Sequence, residues 1–388
     1  MTATPPRPAT RALWAMLFGN LIIGTGVLLP AGLLGAFMAD YAVDASRAGL
    51  LMFVGGLVVG IGAPVLAGLT TRVDRRILLV ASLLIYAAGH LGAMLTTDFT
   101  MLLLFRAITV IGAALFTPQA AATVGLLVPA DQRGSAIAFI FIGWSLASVL
   151  GIPLGSVLGE AIGWRQTYLL MAGLSAVAAG VVWVVLPGGL RVQRIDLSSW
   201  LRVLTDPRLM VVLAVTMFAM SGQFAMFTYV SPVLTKVYGQ TGHGVALTFL
   251  VVGAAGVCGN YAASRLAGQF GVERSVLLAL SLIAIGLAVV ALAWGSYPAF
   301  LMGGCLWGLG GFASNSLQQS RLVGLAPALA SATVALNTSF VYLGQSLGSA
   351  TGGRLIAAGP QASMAWAGFT FILAAMGLSV WAARRGAR

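Results

Sequence analysis

Two ionisable side chains lie inside long apolar runs of this sequence, where a charge is costly. Arg106 lies little more than a helical turn inside a run that begins near Met101, and His90 lies in the run before it. A buried guanidinium can hold an anionic or polar group, or lower the pKa of a neighbouring acid. An imidazole can titrate near neutral pH and carry a proton. The sequence therefore predicts Arg106 and His90 as candidates for ion coupling or ligand binding.

Both residues also have a structural interpretation. Arg106 is close enough to the start of its run for the side chain to snorkel to the membrane interface. A lone histidine in an apolar helix is commonly a hydrogen-bonded packing residue. No Asp or Glu lies deep in any apolar run, so Arg106 has no evident carboxylate partner.

Amides, hydroxyls and large aromatic rings are scattered through other apolar runs. Such groups suit a neutral polar or amphiphilic ligand, because they form hydrogen bonds or stack without requiring an opposite charge. For each of them, ordinary helix packing is an equal alternative. The candidates for substrate binding are Asn20, Thr25, Gln119, Trp144, Gln223, Trp307, Asn315, Asn337, Tyr342 and Gln345.

Glycines recur at every fourth position in two apolar runs, at Gly151, Gly155 and Gly159 and again at Gly344, Gly348 and Gly352. This spacing leaves a smooth groove on one helix face, so that a neighbouring backbone can approach closely. The grooves either serve close packing alone or lie where two halves of the molecule slide or rock. Pro153 removes one backbone hydrogen bond and predicts a kink in the first run.

The elements that carry these residues are predicted to be transmembrane helices. Hydrophobic residues make up 59% of the chain, charged residues only 8%, and the mean hydropathy is +0.99. An ordinary soluble domain contains roughly a quarter charged residues. The apolar runs are continuous rather than alternating, which favours helices over a barrel. We predict spans at 12–33, 46–69, 78–97, 99–126, 134–159, 165–187, 209–231, 244–265, 275–294, 297–320, 329–353 and 361–383.

The charged residues predict the domain organisation and the orientation. The longest hydrophilic stretch falls mid-chain, which predicts bundles at 1–189 and 209–388 joined by a cytoplasmic linker at 190–208. With both termini in the cytoplasm, sixteen of the 21 basic residues fall on that side and four fall outside, as the positive-inside rule expects. The four predicted outside are Arg47, Arg165, Lys236 and Arg354.

An internal repeat supports two equivalent halves. The segment from Val73 resembles the segment from Val272, 199 residues later, and Pro129-Ala130 recurs as Pro327-Ala328 after 198 residues. The glycine series recurs after 193 residues. Three matches near half the chain length predict a pseudo-symmetric pair of six-helix bundles.

Several other functions are excluded or disfavoured. The basic residues sit singly at the ends of apolar runs, which argues against nucleic-acid binding. With one lysine and no P-loop motif, the chain has no nucleotide site of that kind. Gly344-Gln345-Ser346-Leu347-Gly348 matches a hydrolase pattern but lies in mid-helix, so it does not predict an enzyme. We expect no metal site and no cofactor, and Cys258 and Cys305 are expected to be packing residues. The first apolar run is expected to be retained, not cleaved as a signal peptide.

With these residues identified, the chain resembles the major facilitator superfamily over nearly its whole length. It is most similar to bacterial proton-coupled drug, sugar and nucleoside efflux permeases. The resemblance rests on Arg106, on the turn 72–76 after the second run, on 150–156 in the fifth and on 163–165 after it. It implies a gating or helix-packing role for Arg72, Asp74, Arg75, Arg76, Gly151, Pro153 and Gly155, and the four-residue glycine spacing predicts the same role for Gly344 and Gly348.

The chain also departs from the family pattern. Thr71 stands where the loop motif usually has aspartate, so a gating salt bridge is either absent or rebuilt through Asp74. Ile152 separates Gly151 from Pro153 in the fifth-helix motif, and the first run lacks the acid that many such exporters carry.

The resemblance implies an all-α transporter of the bacterial inner membrane. It implies a small-molecule substrate, protons as coupling ion, and the lipid bilayer as the surroundings, and we expect a monomer. Export is the leading interpretation, and a carrier for uptake by symport or uniport is the closest alternative. A channel is less favoured because no ring of charge or backbone filter is evident, and a membrane-embedded enzyme is least favoured.

Overall fold

A computed structural model describes residues 7–191 and 197–386 of the chain, and every regular element in these ranges is a helix. The linker residues 192–196, which include Arg194 and Asp196, and the terminal Arg388 lie outside the described residues. The first bundle consists of α1 (Arg7–Gly32), α2 (Leu34–Asp40), α3 (Ala45–Ala48), α4 (Leu50–Leu69), α5 (Arg75–Leu95), α6 (Phe99–Leu127), α7 (Arg133–Leu146), α8 (Ile152–Ala161) and α9 (Trp164–Val185).

The second bundle repeats this plan after a short helix, α10 (Leu197–Thr205), in the linker. It consists of α11 (Pro207–Phe227), α12 (Val230–Tyr238), α13 (Gly242–Phe270), α14 (Val272–Leu292), α15 (Tyr297–Leu325), α16 (Ala330–Ala358) and α17 (Ser363–Gly386).

The described residues form twelve membrane-length helical units. Ten are long and apolar enough to cross a membrane individually, with α1 continued by α2, α3 by α4, α7 by α8 and α11 by α12. The other two, α15 and α16, qualify as a pair bent by 114° at the break between them. Each has 29 residues and is therefore about 43 Å long, more than the ~30 Å bilayer core, so each is long enough to cross by itself.

Five predicted spans end five or more residues too early. The eighth and the tenth extend to Phe270 and Leu325, and the other three are the first, the seventh and the eleventh. The first continues through α2 to Asp40, the seventh through α12 to Tyr238, and the eleventh to Ala358. In the first and the seventh, the chain bends at Leu33 or at 228–229 and then resumes a helix. These last three extensions include polar or small residues that end the apolar run before the helix itself ends.

Four of the nine acidic residues begin helices. The carboxylates of Asp44, Asp74, Asp98 and Asp206 each accept a hydrogen bond from a backbone N–H in the first turn of α3, α5, α6 and α11. This N-cap position stabilises a helix by satisfying an otherwise free donor. Since a cap lies at a helix end, these acids stand at the ends of the spans.

The two ends of the molecule along the helix axes carry different segments of the chain. We call the end where α1 begins and α10 lies the linker end, and the opposite end, with residues 41–44, 96–98, 162–163, 239–241 and 359–362, the far end. Buried apolar side chains form one large core within each bundle, and a few residues of α1, α2, α3, α4 and α8 join the core of the second bundle. The boundaries 1–189 and 209–388 stay a prediction.

Candidate functional site

Arg106 lies on α6 and is buried, with 3% of its surface exposed. Its Nη1 donates to the Gly26 carbonyl at 2.9 Å, its Nη2 to the Val27 carbonyl at 2.6 Å, and its Nε to the Leu51 carbonyl at 3.2 Å. The snorkelling interpretation is therefore wrong. The guanidinium does not face an open cavity either, because three carbonyls of α1 and α4 occupy it.

A proline explains why α1 offers a carbonyl to Arg106. Pro30 lies within α1 and has no N–H, so the Gly26 carbonyl four residues earlier loses its helical donor. A buried carbonyl without a donor costs about 1–3 kcal/mol. Arg106 supplies the missing donor from a neighbouring helix, and so it ties α6 to α1 and, through Leu51, to α4.

His90 is buried in the same bundle beside this bond network, with 1% exposed. Its Nδ1 lies 2.9 Å from the Tyr86 carbonyl, and its ring packs between those of Tyr86 and Tyr168, at centroid distances of 4.6 and 5.0 Å. Gly26 leaves room for the Nε2 edge of the ring. This environment fits the packing interpretation of His90.

Asn20 and Trp144 come together through a third residue, Thr117. The Thr117 hydroxyl donates to Asn20 Oδ1 at 2.9 Å and accepts from Trp144 Nε1 at 3.2 Å. Asn20 Nδ2 in turn donates to the Ile140 carbonyl at 3.1 Å. We call Asn20, Thr117 and Trp144 the first polar triad, which joins α1, α6 and α7.

Asn315 and Asn337 form an analogous group in the second bundle. Asn337 Nδ2 donates to Asn315 Oδ1 at 2.9 Å, and Asn337 Oδ1 accepts from the Thr216 hydroxyl at 2.8 Å. We call Thr216, Asn315 and Asn337 the second polar triad, which joins α11, α15 and α16.

The two triads occupy equivalent positions of the internal repeat. Thr117 and Asn315 are 198 residues apart, and Trp144 and Asn337 are 193 apart, the offsets of the proline and glycine repeats. Asn20 and Thr216 are 196 apart, as are Leu34 and Val230, which begin α2 and α12. Sequence reasoning missed Thr117 and Thr216, although these offsets would have identified them.

The other predicted polar residues lie outside the triads, and most of them form hydrogen bonds within their own bundle. Gln119 accepts a hydrogen bond from the buried Arg75, and Gln223 accepts one from Trp307 Nε1 at 3.2 Å, so both pairs lie within single bundles. Thr25 donates to the Leu21 carbonyl of its own helix. Tyr342 and Gln345, by contrast, project from α16 onto the first bundle, where Tyr342 packs among Val59, Val110 and Ala114.

The glycine series lie inside the bundles, not between them. Added Cβ atoms at Gly151 and Gly155 would meet the α1 side chains Thr25 and Leu29, and one at Gly159 would meet Leu33, just after α1. At Gly344, Gly348 and Gly352 they would meet backbone of α11, at the Met217, Ser221 and Ala225 carbonyls. The expectation that these grooves lie where the halves meet is therefore wrong. The kink expected at Pro153 corresponds to a π-helical turn at Ala147–Gly151.

Besides Gln345, the contact between the bundles uses residues that the sequence reasoning missed. From α16, Ser349 donates to the Gly49 carbonyl at 3.0 Å, Ser346 to Phe53 at 2.8 Å, and Gln345 to Met52 at 3.4 Å. Gly56, Gly60 and Gly253 allow the close approach, since an added Cβ there would meet backbone of the opposite bundle. Serine and glycine are too common in apolar helices to signal such a role by themselves.

The contact is confined to the far half of the helices. The buried residues of α4 all lie between Leu51 and Gly60, and its remaining turns toward the linker end bury none, with Leu69 74% exposed. The α8–α13 contact extends from Ser148 against Gly253 to Glu160 against Gly242, which is again the far half. The bundles therefore meet at the far end.

The turn 72–76 closes the linker end of the first bundle. Asp74 caps α5 and also accepts from the Gly189 N–H, and Arg75 Nη2 donates to the Thr70 and Thr71 carbonyls at 3.3 and 3.2 Å. The Arg76 guanidinium lies 4.0 Å from the Trp183 ring, and Arg72 is exposed. Among the described residues, Asp74 forms no salt bridge to the second bundle.

Comparison with known proteins supports a single family. A family model described as the Major Facilitator Superfamily matches residues 16–349. The inner membrane transport protein YdhP of Escherichia coli K12 is 30% identical over 349 residues, which cover 89% of each chain. The uncharacterized MFS-type transporter YtbD of Bacillus subtilis is 28% identical and covers 95% of this chain and 94% of the relative.

Two further similarities bear on function and fold. A chloramphenicol resistance protein of Streptomyces lividans is 31% identical over 261 residues, 66% of this chain and 67% of the relative. A bacterial homologue of the human lysosomal transporter Spinster, solved in an inward-facing and unoccupied conformation, superposes with a TM-score of 0.78 at 16% identity and covers 98% of each chain.

Proposed function

The chain belongs to the Major Facilitator Superfamily, and from that premise we propose that it exports a small neutral or amphiphilic solute by alternating access coupled to proton antiport. The observation that carries the proposal is the one-ended contact between the bundles. Helices that meet only at the far end can separate there and meet instead at the linker end, which exposes a midplane site to each side in turn.

The polar triads support the substrate class. Together they contain three amides, two hydroxyls and one indole near mid-span, and no charged group. A neutral solute with donors and acceptors can exchange bonds with such groups without desolvating a charge. Chloramphenicol, named in the description of one relative, is a neutral molecule of this kind and is the first probe that we propose.

We propose that the linker end faces the cytoplasm of a bacterial inner membrane. The described basic residues toward that end are Arg7, Arg11, Arg72, Arg75, Arg76, Arg133, Arg191, Arg202, Arg208, Arg265, Arg274, Arg321, Arg384 and Arg385. The positive-inside rule places that side in the cytoplasm. We further propose that the transporter works as a monomer.

The orientation is tested by labelling single cysteines in a variant that carries Cys258→Ala and Cys305→Ala. A cysteine at Ser198 should react only after the membrane is permeabilised, and one at Gln240 should react with an impermeant reagent in intact cells. Labelling of position 198 in intact cells would reverse the assignment.

The function is tested in everted membrane vesicles energised by a proton gradient. Vesicles with the transporter should accumulate chloramphenicol, and adding the solute should dissipate part of the gradient. Accumulation in intact cells instead would favour the uptake alternative. Accumulation in vesicles without any change in the proton gradient would leave export standing and remove proton antiport.

A further inference from the structure

A small pocket that is partly open to solvent lies at the far end, between the two bundles. Its volume is about 120 Å³, several times the ~15 Å³ that one water molecule requires. Residues of both bundles line it: Asp44, Ala45 and Ser46 from the first, and Pro232, Lys236, Ile356, Ala357 and Gln361 from the second.

Three polar groups of this cavity lack a full set of partners within the described part of the chain. Lys236, the single lysine of the sequence, forms no ion pair. Asp44 also forms none, and its Oδ1 accepts one bond, from the Arg47 N–H at 2.7 Å. The Gln361 Oε1 atom is buried and has no hydrogen-bond partner. A cation, an anion and a free acceptor therefore face one small space.

The equivalent place in the first bundle is filled by an ion pair. Asp40 is the seventh residue of α2 and Lys236 the seventh of α12, while Arg165 and Gln361 each follow a glycine by two residues. In the first bundle Arg165 pairs with Asp40, and its Nη2 donates to the Thr96 carbonyl at 3.1 Å. The second bundle has a lysine and an amide instead, so the carboxylate is missing.

We propose that this cavity is a binding site for a small zwitterion, of the size and charge of a free amino acid such as glycine. The carboxylate of the ligand binds the Lys236 ammonium and so replaces the carboxylate that the repeat lacks. Its ammonium group donates to the Asp44 carboxylate and to Gln361 Oε1. Both charges of the ligand are then paired, and the buried amide oxygen gains a donor.

The site has a conformational consequence. Asp44 belongs to the first bundle, and Lys236 and Gln361 belong to the second, so the ligand holds the two together at the far end. A ligand that contacts both bundles only when they meet shifts the equilibrium toward that state. The site is separate from the midplane triads and does not depend on the identity of the transported solute.

The test uses the purified full chain in detergent, where both ends are accessible. Glycine should raise the temperature of thermal unfolding in a saturable manner, and acetate or methylammonium at equal concentration and ionic strength should not, since each offers only one of the two charges. Equilibrium dialysis with labelled glycine should give saturable binding to the wild-type chain.

Two variants locate the site, and a third serves as the matched control. Lys236→Gln removes the cation, and Asp44→Asn removes the anion but keeps a good helix cap. Each should raise the half-saturating glycine concentration about tenfold or more, the effect of losing one charged contact. Arg354→Gln removes a cation from the same end outside the cavity and should bind glycine as the wild type does.

Two results would overturn the proposed glycine site. An equal shift in the wild type, Lys236→Gln and Asp44→Asn, or an equal shift with acetate, would mean that glycine acts through the solvent and would overturn the proposal. Absence of saturable binding to the wild-type chain by dialysis would overturn it even if the variants failed to fold, because the cavity would then hold only water.

Discussion

The two bundles share one architecture but handle their buried polar groups differently. In the first, the carbonyl freed by Pro30 is satisfied by Arg106. In the second, the equivalent positions are Met226 and Gly304, at offsets of 196 and 198, so neither the free carbonyl nor the arginine is present. The comparison indicates that Arg106 replaces the backbone hydrogen bond that Pro30 removes from α1, so that the two residues have to be interpreted together.

The largest expected effect comes from replacing Arg106 while Pro30 is kept. Arg106→Ala leaves the Gly26 carbonyl buried without a donor, at a cost of about 1–3 kcal/mol. It also frees α1 and α4 from α6, and we expect chloramphenicol transport to be lost. Arg106→Lys should recover only part, because an ammonium cannot reproduce the spread of guanidinium donors over three carbonyls. Transport and thermal unfolding measure the two consequences separately.

The double variant Pro30→Met with Arg106→Ala sharpens the comparison, since it approaches the arrangement of the second bundle. It should unfold at a higher temperature than Arg106→Ala alone, because the N–H at position 30 again serves the Gly26 carbonyl. Full transport by Arg106→Ala would contradict the role assigned to this residue. Equal stability of the single and double variants would disprove the compensation.

The glycine series should respond unequally to the same substitution. Gly155→Ala meets the end of the flexible Leu29 side chain, whereas Gly348→Ala meets the Ser221 carbonyl and the Ala225 N atom. A side chain can rotate away, but a helix backbone cannot. We expect Gly348→Ala to lower the free energy of unfolding by about 1–3 kcal/mol and Gly155→Ala by less. Gly155→Leu should still abolish transport, and equal effects of the two alanines would refute the distinction.

Threonine-to-valine substitutions in the two polar triads should show the smallest difference in their effect on stability, because the triads are the most similar regions of the two bundles. Thr117 is the centre of the first triad, and Thr117→Val removes two hydrogen bonds. Thr216 is at the edge of the second, and Thr216→Val removes one. At about 1 kcal/mol for each bond, the first substitution should destabilise the protein about twice as much as the second. Denaturation of the two valine variants in parallel tests this, and the reverse order would contradict the assigned bonding pattern.

The sequence predicted an all-helical fold of two similar halves, because this depends on long apolar runs and on a repeat. It could not predict which face of a helix meets which neighbour. Gly151 and Gly344 were correctly singled out as close-packing residues but were given the wrong partners. The partner of Arg106 was predictable in principle, since Pro30 marks Gly26 as a free acceptor. The contacts of Ser346 and Ser349 were not, because they depend on the tertiary arrangement of α4 and α16.

The uneven placement of charge along the helices has an electrostatic consequence. At the far end the first bundle carries Asp40, Asp44, Asp98 and Glu160 against Arg47 and Arg165, a net charge of −2, and the second carries Lys236 and Arg354, a net charge of +2. Opposite charges thus attract across the end that is closed, whereas surplus arginines on both bundles repel one another at the linker end. The Debye length is about 8 Å at physiological ionic strength and shortens as salt is added. Ionic strength should therefore tune the resting conformation, with low salt holding the far end shut and high salt releasing it.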